Sequence, residues 1–117
     1  MKNKPNYLHI VYLSPSKNGE KKYSALYADP KIGKWRIVHF GQRGAKDFIL
    51  HKGDKAKQDA YIARHKANED WTINGIDTAG FWSRWILWNK PTLEGSIADT
   101  EKRFGIIIVP SDRPILG

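Results

Sequence analysis

The residues best suited to chemistry are cations placed close to glycines and aromatic rings. Gly41 and Gly44 flank Gln42 and Arg43 at the end of a predicted strand. Glycine accepts positive φ, and successive N–H groups in such a turn can form an anion-binding nest, to which Arg43 adds a planar fork of donors. The turn lacks the Gly-Lys-Ser/Thr ending of a Walker loop. The alternative is an ordinary hairpin turn with an exposed arginine.

A basic segment follows this turn and predicts a phosphate-binding helix edge. Lys57, Tyr61 and Arg64 are separated by four and three residues, so they lie near one edge of a helix. Interleaved basic and aromatic residues can hold phosphates and offer a stacking surface. The alternative is a solvated helix face with Tyr61 packed inward. The residues predicted to bind nucleic acid are Gln42, Arg43, Lys46, Lys52, Lys57, Tyr61, Arg64, Lys66 and Arg84.

The aromatic segment 81–91 predicts a buried helix. Phe81, Trp85 and Trp88 are spaced i, i+4, i+7, and Trp82 and Ile86 widen their stripe, which indicates burial on most sides.

One arginine, Arg84, lies within this aromatic segment. An isolated buried charge is very costly, so we expect Arg84 to be paired or to face the surface. It is either a second phosphate contact or an ion-pair partner of Asp77 or Asp99.

The histidines suggest an enzymatic alternative. Convergence of the third and fourth predicted strands with the first helix would create a metal-assisted or general-base site for a phosphodiester. No His-x-Glu, His-Glu-x-x-His or paired-carboxylate spacing occurs. We therefore predict no metal site and no cofactor, and a binding protein in preference to an enzyme. The candidate catalytic residues of this alternative are His39, Asp47, His51 and His65, with Tyr61 nearby.

Net charge points to an acidic partner. The 117 residues carry a formal charge of +8, and residues 1–66 contribute +10 while residues 67–117 contribute −2. Nucleic acid is the first candidate, and an anionic membrane or an acidic protein is the second. The chain has no cysteine, which excludes disulfides and thiolate metal sites. It has no apolar run of bilayer-spanning length and no signal-peptide pattern, so we expect a soluble intracellular protein.

The secondary structure predicted for the chain indicates an α+β fold in a single domain, 1–117. Strands at 7–13, 22–28, 35–40 and 48–51 form an antiparallel meander, and 106–109 is a last strand or a buried tail. Helices follow at 55–68, capped by Asp54, at 78–88, capped by Thr78, and at 92–104, ended by Gly105. We expect three to five antiparallel strands, about three helices packed on one face, an alanine stripe of the first helix facing the sheet, and a disordered tail at 110–117.

The middle of the chain also resembles a known group of proteins. The matching residues are Phe40-Gly41-Gln42-Arg43-Gly44, Asp47-Phe48, His51, Tyr61-Ile62-Ala63-Arg64-His65, Glu69-Asp70-Trp71, Gly75-Ile76, Thr78 to Trp85, Leu87 to Pro91 and Arg103-Phe104. This pattern resembles a small uncharacterised domain family of giant nucleocytoplasmic DNA viruses, whose function is unassigned. The resemblance implies a virion or viral-factory setting in which DNA is an abundant acidic partner, and it implies no reaction.

Three functions follow as hypotheses. The first is non-sequence-specific binding of double-stranded DNA through the basic surface. The second is a metal-dependent nuclease. The third is a virion structural or protein-interaction module, in which an aromatic surface near Tyr27, Trp71 or Trp82 contacts another subunit.

Overall fold

A computed structural model describes residues 9–114 of the chain. The strands are β1 (Ile10–Pro15), β2 (Lys21–Asp29), β3 (Lys34–Gln42) and β4 (Ile107–Pro110), and the helices are α1 (Lys55–His65), α2 (Ala79–Trp82) and α3 (Leu93–Phe104). A 3₁₀ turn, Ile73–Gly75, precedes α2, and a π-helical turn, Ser83–Leu87, continues it. The α+β class is therefore as predicted.

The four strands form one mixed sheet in the order β3-β2-β1-β4. The first three strands pair antiparallel, as the predicted meander requires. The expectation of a purely antiparallel sheet is wrong, because β4 pairs parallel with β1. The cause is the connection: α3 ends at Gly105, whose φ of 65° turns the chain, and Ile107 then donates to the His9 carbonyl at the start of β1. A strand that returns through a helix can lie parallel to its neighbour, whereas a hairpin cannot produce this.

The strand predicted at 48–51 does not form. The segment is a series of tight turns, in which the N–H groups of His51 and Gly53 donate to the carbonyls of Asp47 and Phe48. The Asp47 carboxylate accepts from the Leu50 N–H at 2.9 Å, which stabilises the turn. Phe48 is buried while Leu50 is 55% exposed. The apolar residues from Phe48 to Leu50 predicted a strand, but Phe48 is buried within a turn and Leu50 faces the solvent.

One hydrophobic core joins the sheet to the aromatic segment, as the stripe predicted. Val11, Leu13 and Phe40 from the strands pack in one cluster with the fully buried Phe81 and Trp82. The second helix differs from the prediction, since only Ala79–Trp82 is α-helical and the rest is the π-helical turn. Tyr27 is buried too, so neither Tyr27 nor Trp82 can belong to an exposed aromatic surface.

The predicted caps Asp54 and Thr78 are confirmed, as is Gly105 at the end of α3. The Asp54 side chain accepts from the Ala56 N–H, and the Thr78 side chain accepts from the Phe81 N–H. Thr92, predicted as the first residue of the third helix, is instead its N-cap. The first helix ends at residue 65, three residues earlier than predicted.

The packing side of α1 differs from the prediction. Gln58 and Tyr61 are buried, whereas the predicted alanine stripe is exposed, at Ala56, Ala60, Ala63 and Ala67. Gln58 Nε2 donates at 2.9 Å to the carbonyls of both Trp88 and Asn89. The helix α1 is therefore held against Trp88 and Asn89 by the Gln58 hydrogen bonds and by the stacked Tyr61 ring, and not by its alanines.

The two ends of the chain lie partly outside the described residues. Residues 7 and 8 of the predicted first strand fall there, as do residues 115–117 of the predicted disordered tail. Pro110 belongs to β4, and the Ser111 N–H donates to the Leu13 carbonyl at 2.8 Å. None of the described helices is long and apolar enough to cross a membrane.

Candidate polyanion-binding groove

A groove lies between the far end of the β2–β3 hairpin and helices α1 and α2. Its cavity has a volume of about 370 Å³. The hairpin side contributes Lys21, Lys22, Gln42 and Lys46, and the helical side contributes Tyr61, Arg64, His65, Glu69 and Ser83. Four of the predicted nucleic-acid-binding residues, Gln42, Lys46, Tyr61 and Arg64, thus line one cavity. We call this cavity the basic groove.

Positive charge exceeds negative charge in the basic groove. Four cationic side chains, Lys21, Lys22, Lys46 and Arg64, line it together with one carboxylate, Glu69. Lys22 is already neutralised, because its Nζ lies 2.6 Å from the Asp47 carboxylate. None of the ion pairs in residues 9–114 involves the other three cations. The groove therefore retains an excess of cations that an external anion could neutralise.

The glycine turn after β3 has the predicted backbone but does not form the predicted nest. Gly41 and Gly44 have φ values of 79° and 90°, which confirms the need for glycine. The Arg43 N–H, however, donates to the Glu20 carbonyl, and the Ala45 N–H donates to the Gln42 carbonyl. These donors are consumed by the hairpin, so anion binding here depends on side chains.

Arg43 lies beside the basic groove. It lines an adjoining cavity of about 340 Å³, and that cavity shares Lys21 and Gln42 with the basic groove. One guanidinium nitrogen of Arg43 donates to the Lys21 carbonyl at 2.9 Å. This bond holds the exposed side chain against the edge of the hairpin, where its remaining donors can reach a phosphate.

Tyr61 is a structural residue of the groove floor. Its ring stacks on His65 at 4.3 Å and on Trp88 at 4.5 Å between centroids, and the side chain is only 6% exposed. Burial raises the pKa of the Tyr61 hydroxyl, and the Glu69 carboxylate raises it further. Other rings of the protein cover Tyr61, which is the alternative arrangement, with Tyr61 packed inward.

Glu69 holds the helical side of the groove in place. Its carboxylate lies 3.2 Å from His65 Nδ1 and accepts from the Trp71 indole N–H at 2.9 Å. The same carboxylate packs against Gly80, where an added Cβ would come within 2.7 Å of it. Glu69 therefore connects the end of α1 to the start of α2, and this connection positions Arg64 opposite the hairpin.

Three predicted lysines lie outside the lining of the basic groove. Lys57 is exposed on the same edge of α1 as Arg64, about 10 Å further along the helix. Lys52 lies in the turn before α1 with a positive φ of 56°. Lys66 follows α1 as its C-cap residue, on the side of the helix opposite Arg64. Only Lys57 extends the strip of charge that Arg64 begins.

Arg84 is packed among tryptophans and does not line the groove. Its guanidinium carbon lies 4.4 Å from the Trp85 ring centroid, and Nη1 donates to the Trp88 carbonyl at 2.8 Å. Burial lowers the pKa of Arg84, and the charge of Arg103 lowers it further. The expected ion pair with Asp77 or Asp99 is not among those of residues 9–114, because aromatic faces and a helix-end carbonyl take its place.

The candidate catalytic residues have separate partners. His39 Nδ1 lies 2.7 Å from the Ser16 hydroxyl, Asp47 pairs with Lys22, and His51 contacts the Trp88 ring. His65 pairs with Glu69. Within residues 9–114, no group of three or more His, Asp or Glu side chains is arranged to hold a metal ion. The metal centre that the nuclease hypothesis expects at these four positions is therefore not formed among the described residues.

Two residues of the groove, Lys21 and Lys22, were not predicted to belong to the site. The register of the hairpin places Lys21 directly opposite Gln42, which brings the start of β2 to the glycine turn. This pairing follows from extending the predicted 22–28 and 35–40 strands by one or two residues. The signal was therefore available in the hairpin register.

Comparison with known proteins gives a match for the N-terminal part of the chain alone. No curated protein and no solved structure matches the chain. The comparisons supply neither an activity nor a source organism, so the resemblance to a viral family stays a prediction. Residues 11–65, just under half of the chain, running from β1 to the end of α1, are similar to a family of unknown function (DUF5754).

Proposed function

We propose that the protein binds double-stranded nucleic acid, DNA in the first place, through backbone phosphates at the basic groove. One observation carries the proposal: cations from three separate parts of the chain, Lys21, Lys46 and Arg64, line one cavity. They come from a strand, a loop and a helix, and the described residues do not neutralise them. Concentrated, unpaired positive charge attracts a polyanion.

The aromatic contacts favour a duplex over a single strand. Proteins that bind single strands present exposed rings on which successive bases stack. The ring of Tyr61 in the basic groove is covered by His65 and Trp88. Phosphate contacts alone suit a duplex, whose bases stack on each other, and they carry no sequence information. We therefore expect equal affinity for unrelated sequences.

The flanking cations define the extent of the proposed contact. Arg43 lies beside the groove at the hairpin, and Lys57 lies along the α1 edge beyond Arg64. We propose that the three helices form one layer on the core side of the sheet. The phosphate backbone of the nucleic acid would cross between that layer and the hairpin end. An intracellular location is part of the same proposal.

The test is the salt dependence of binding to a fluorescent duplex, measured by anisotropy. Contacts from Lys21, Arg43, Lys46 and Arg64 amount to four neutralised phosphates, which predicts a slope of log K against log salt of about −3 to −4. Two duplexes of unrelated sequence should give the same slope and the same affinity. A slope near zero, or affinity for one sequence only, would refute the proposal.

A further inference from the structure

An apolar patch lies on the side of the sheet opposite the core cluster. The strand register places alternate residues there, whereas Val11, Leu13 and Phe40 point into the core. The rings of Tyr12 and Trp35 lie 6.4 Å apart, which shows that they share this side. The patch, called the outer patch below, consists of Ile10, Tyr12, Leu26, Ala28, Trp35, Ile37, Ile107 and Val109.

The outer patch exposes large apolar side chains without charge. Trp35 is 60% exposed and Ile10 47%, while Ile107 and Val109 are each 39% exposed. None of the eight residues is charged. Depletion of charge together with exposed aromatic residues characterises the centre of protein interfaces. A nucleic-acid surface would instead carry cations among the rings.

The patch combines a projection with a recess. The Trp35 indole stands between two clefts, of about 390 Å³ and about 270 Å³. The smaller cleft is lined by Ile10, Tyr12 and Ala28 together with His9 and the indole itself. A projecting ring beside a cleft on the same surface is self-complementary, because a two-fold axis between two copies brings each ring to the other copy's cleft.

We propose that two copies of this chain associate through their outer patches, each Trp35 indole entering the cleft beside Tyr12 of the other copy. The two sheets would then pack face to face, about 10 Å apart. The absence of charge from the patch lets two copies meet without placing like charges in contact, although each copy has a net charge of +8. The basic groove lies at the hairpin end and the helices, so both grooves stay accessible.

The size of the patch sets the strength of this dimer. Eight residues spread over four strands cover about 250 Å², from strand spacings of about 4.8 Å and a rise of about 6.6 Å between successive residues on one face. Standard interfaces bury about 800 Å² on each partner. The association is therefore weak and belongs to the class of small, transient interfaces.

Sedimentation equilibrium without nucleic acid tests the proposal. Between about 5 and 500 µM protein, the mass should rise from 13.4 kDa towards twice that value. Trp35→Lys and Val109→Lys, at opposite edges of the patch, should each weaken association by at least about tenfold, because a charge would be buried without a partner. Leu50→Lys, an equally exposed apolar position outside the sheet, is the matched control and should associate like the unmodified chain.

Two outcomes would overturn the proposal. One is a mass of 13.4 kDa at every concentration, which would mean that the patch is bare or covered by something other than a second copy. The other is a dimer that persists unchanged in both lysine variants. The salt dependence distinguishes this proposal from nucleic-acid binding. Raising the salt concentration should strengthen dimer association, because it screens the repulsion between two cationic copies, whereas it should weaken nucleic-acid binding through phosphates.

Discussion

Removal of two groove cations should weaken DNA binding by a predictable factor. Lys46 and Arg64 lie on opposite sides of the basic groove, are exposed, and form no ion pair within residues 9–114. Their replacement in Lys46→Ala/Arg64→Ala therefore removes positive charge without breaking a structural contact that the described residues show. We expect the free energy of unfolding to change by less than about 0.5 kcal/mol for each substitution.

The magnitude follows from counterion release. Each lost phosphate contact reduces the slope of log K against log salt by about 0.9, which corresponds to about eightfold in affinity at 0.1 M salt relative to a 1 M reference. The double variant should bind about 60-fold more weakly, with a slope reduced by about 1.8. Both sequences of an unrelated pair of duplexes should lose the same factor, because phosphate contacts carry no sequence information.

Anisotropy titrations between about 0.05 and 0.3 M salt measure both quantities. The matched control is Lys31→Ala/Lys102→Ala, which removes the same charge from exposed positions in the β2–β3 turn and on α3. The control should retain affinity within about twofold, because it leaves the groove contacts unchanged. An equal loss in both double variants would show that net charge alone drives binding, and an unchanged groove variant would remove the groove from the binding surface.

Three further predictions concern stability. Gly75→Ala should cost about 2 to 4 kcal/mol in urea unfolding, because the added Cβ would overlap the backbone oxygen of Asp70, whereas Gly19→Ala has open space and should cost less than about 1 kcal/mol. Gln58→Ala should cost about 1 to 3 kcal/mol and increase amide exchange in α1, since it leaves the Asn89 carbonyl without its side-chain donor and the Trp88 carbonyl with Arg84 alone; a stable variant with unchanged exchange would contradict this. The Arg36 hydrogen bond lowers the pKa of Asp29 below 3.8, so its stabilisation is present above that pH and is lost as pH falls through the folded pKa. Acid titrations should therefore show a shallower loss of stability below about pH 4 in Arg36→Gln, and an equally steep loss would refute the linkage.

The aromatic stack explains how a short basic helix can be held at a defined position. Tyr61 stacks on Trp88, and Gln58 donates to the carbonyls that follow the π-helical turn. On the other side, Glu69 holds His65. These contacts fix the inward side of α1, so Arg64 on its outer edge faces the hairpin without any strand pairing to place it there.

Local pattern predicted much of the fold. The correct predictions include the first three strands, the helix-end residues Asp54, Thr78 and Gly105, and the buried stripe from Phe81 to Trp88. These features depend on neighbouring residues, such as a side-chain acceptor before a helix or a recurring apolar position. The strand predicted at 48–51 failed for the same reason, because a turn held by the Asp47 carboxylate has the same local composition as a strand.

The candidate site was only partly predictable. Gln42, Lys46 and Arg64 were identified as cationic or polar residues near one another in sequence, and they line one groove. Sequence could not show that Lys22 is paired with Asp47, that Arg84 lies against Trp85, or that Tyr61 is covered. Each of these depends on which distant residue fills the space beside it.

The sequence by itself determined the chemistry available to this protein: its excess of cations in residues 1–66, its glycine turn and its aromatic core residues. Tertiary structure decided which of those cations remain unpaired and share a groove, and it decided that β4 runs parallel to β1. The physical reason is the distance along the chain between the residues that interact. Turns, caps and amphipathic stripes arise from residues within about one helical turn of each other, whereas neutralisation and burial of a charge are set by partners that only packing brings together.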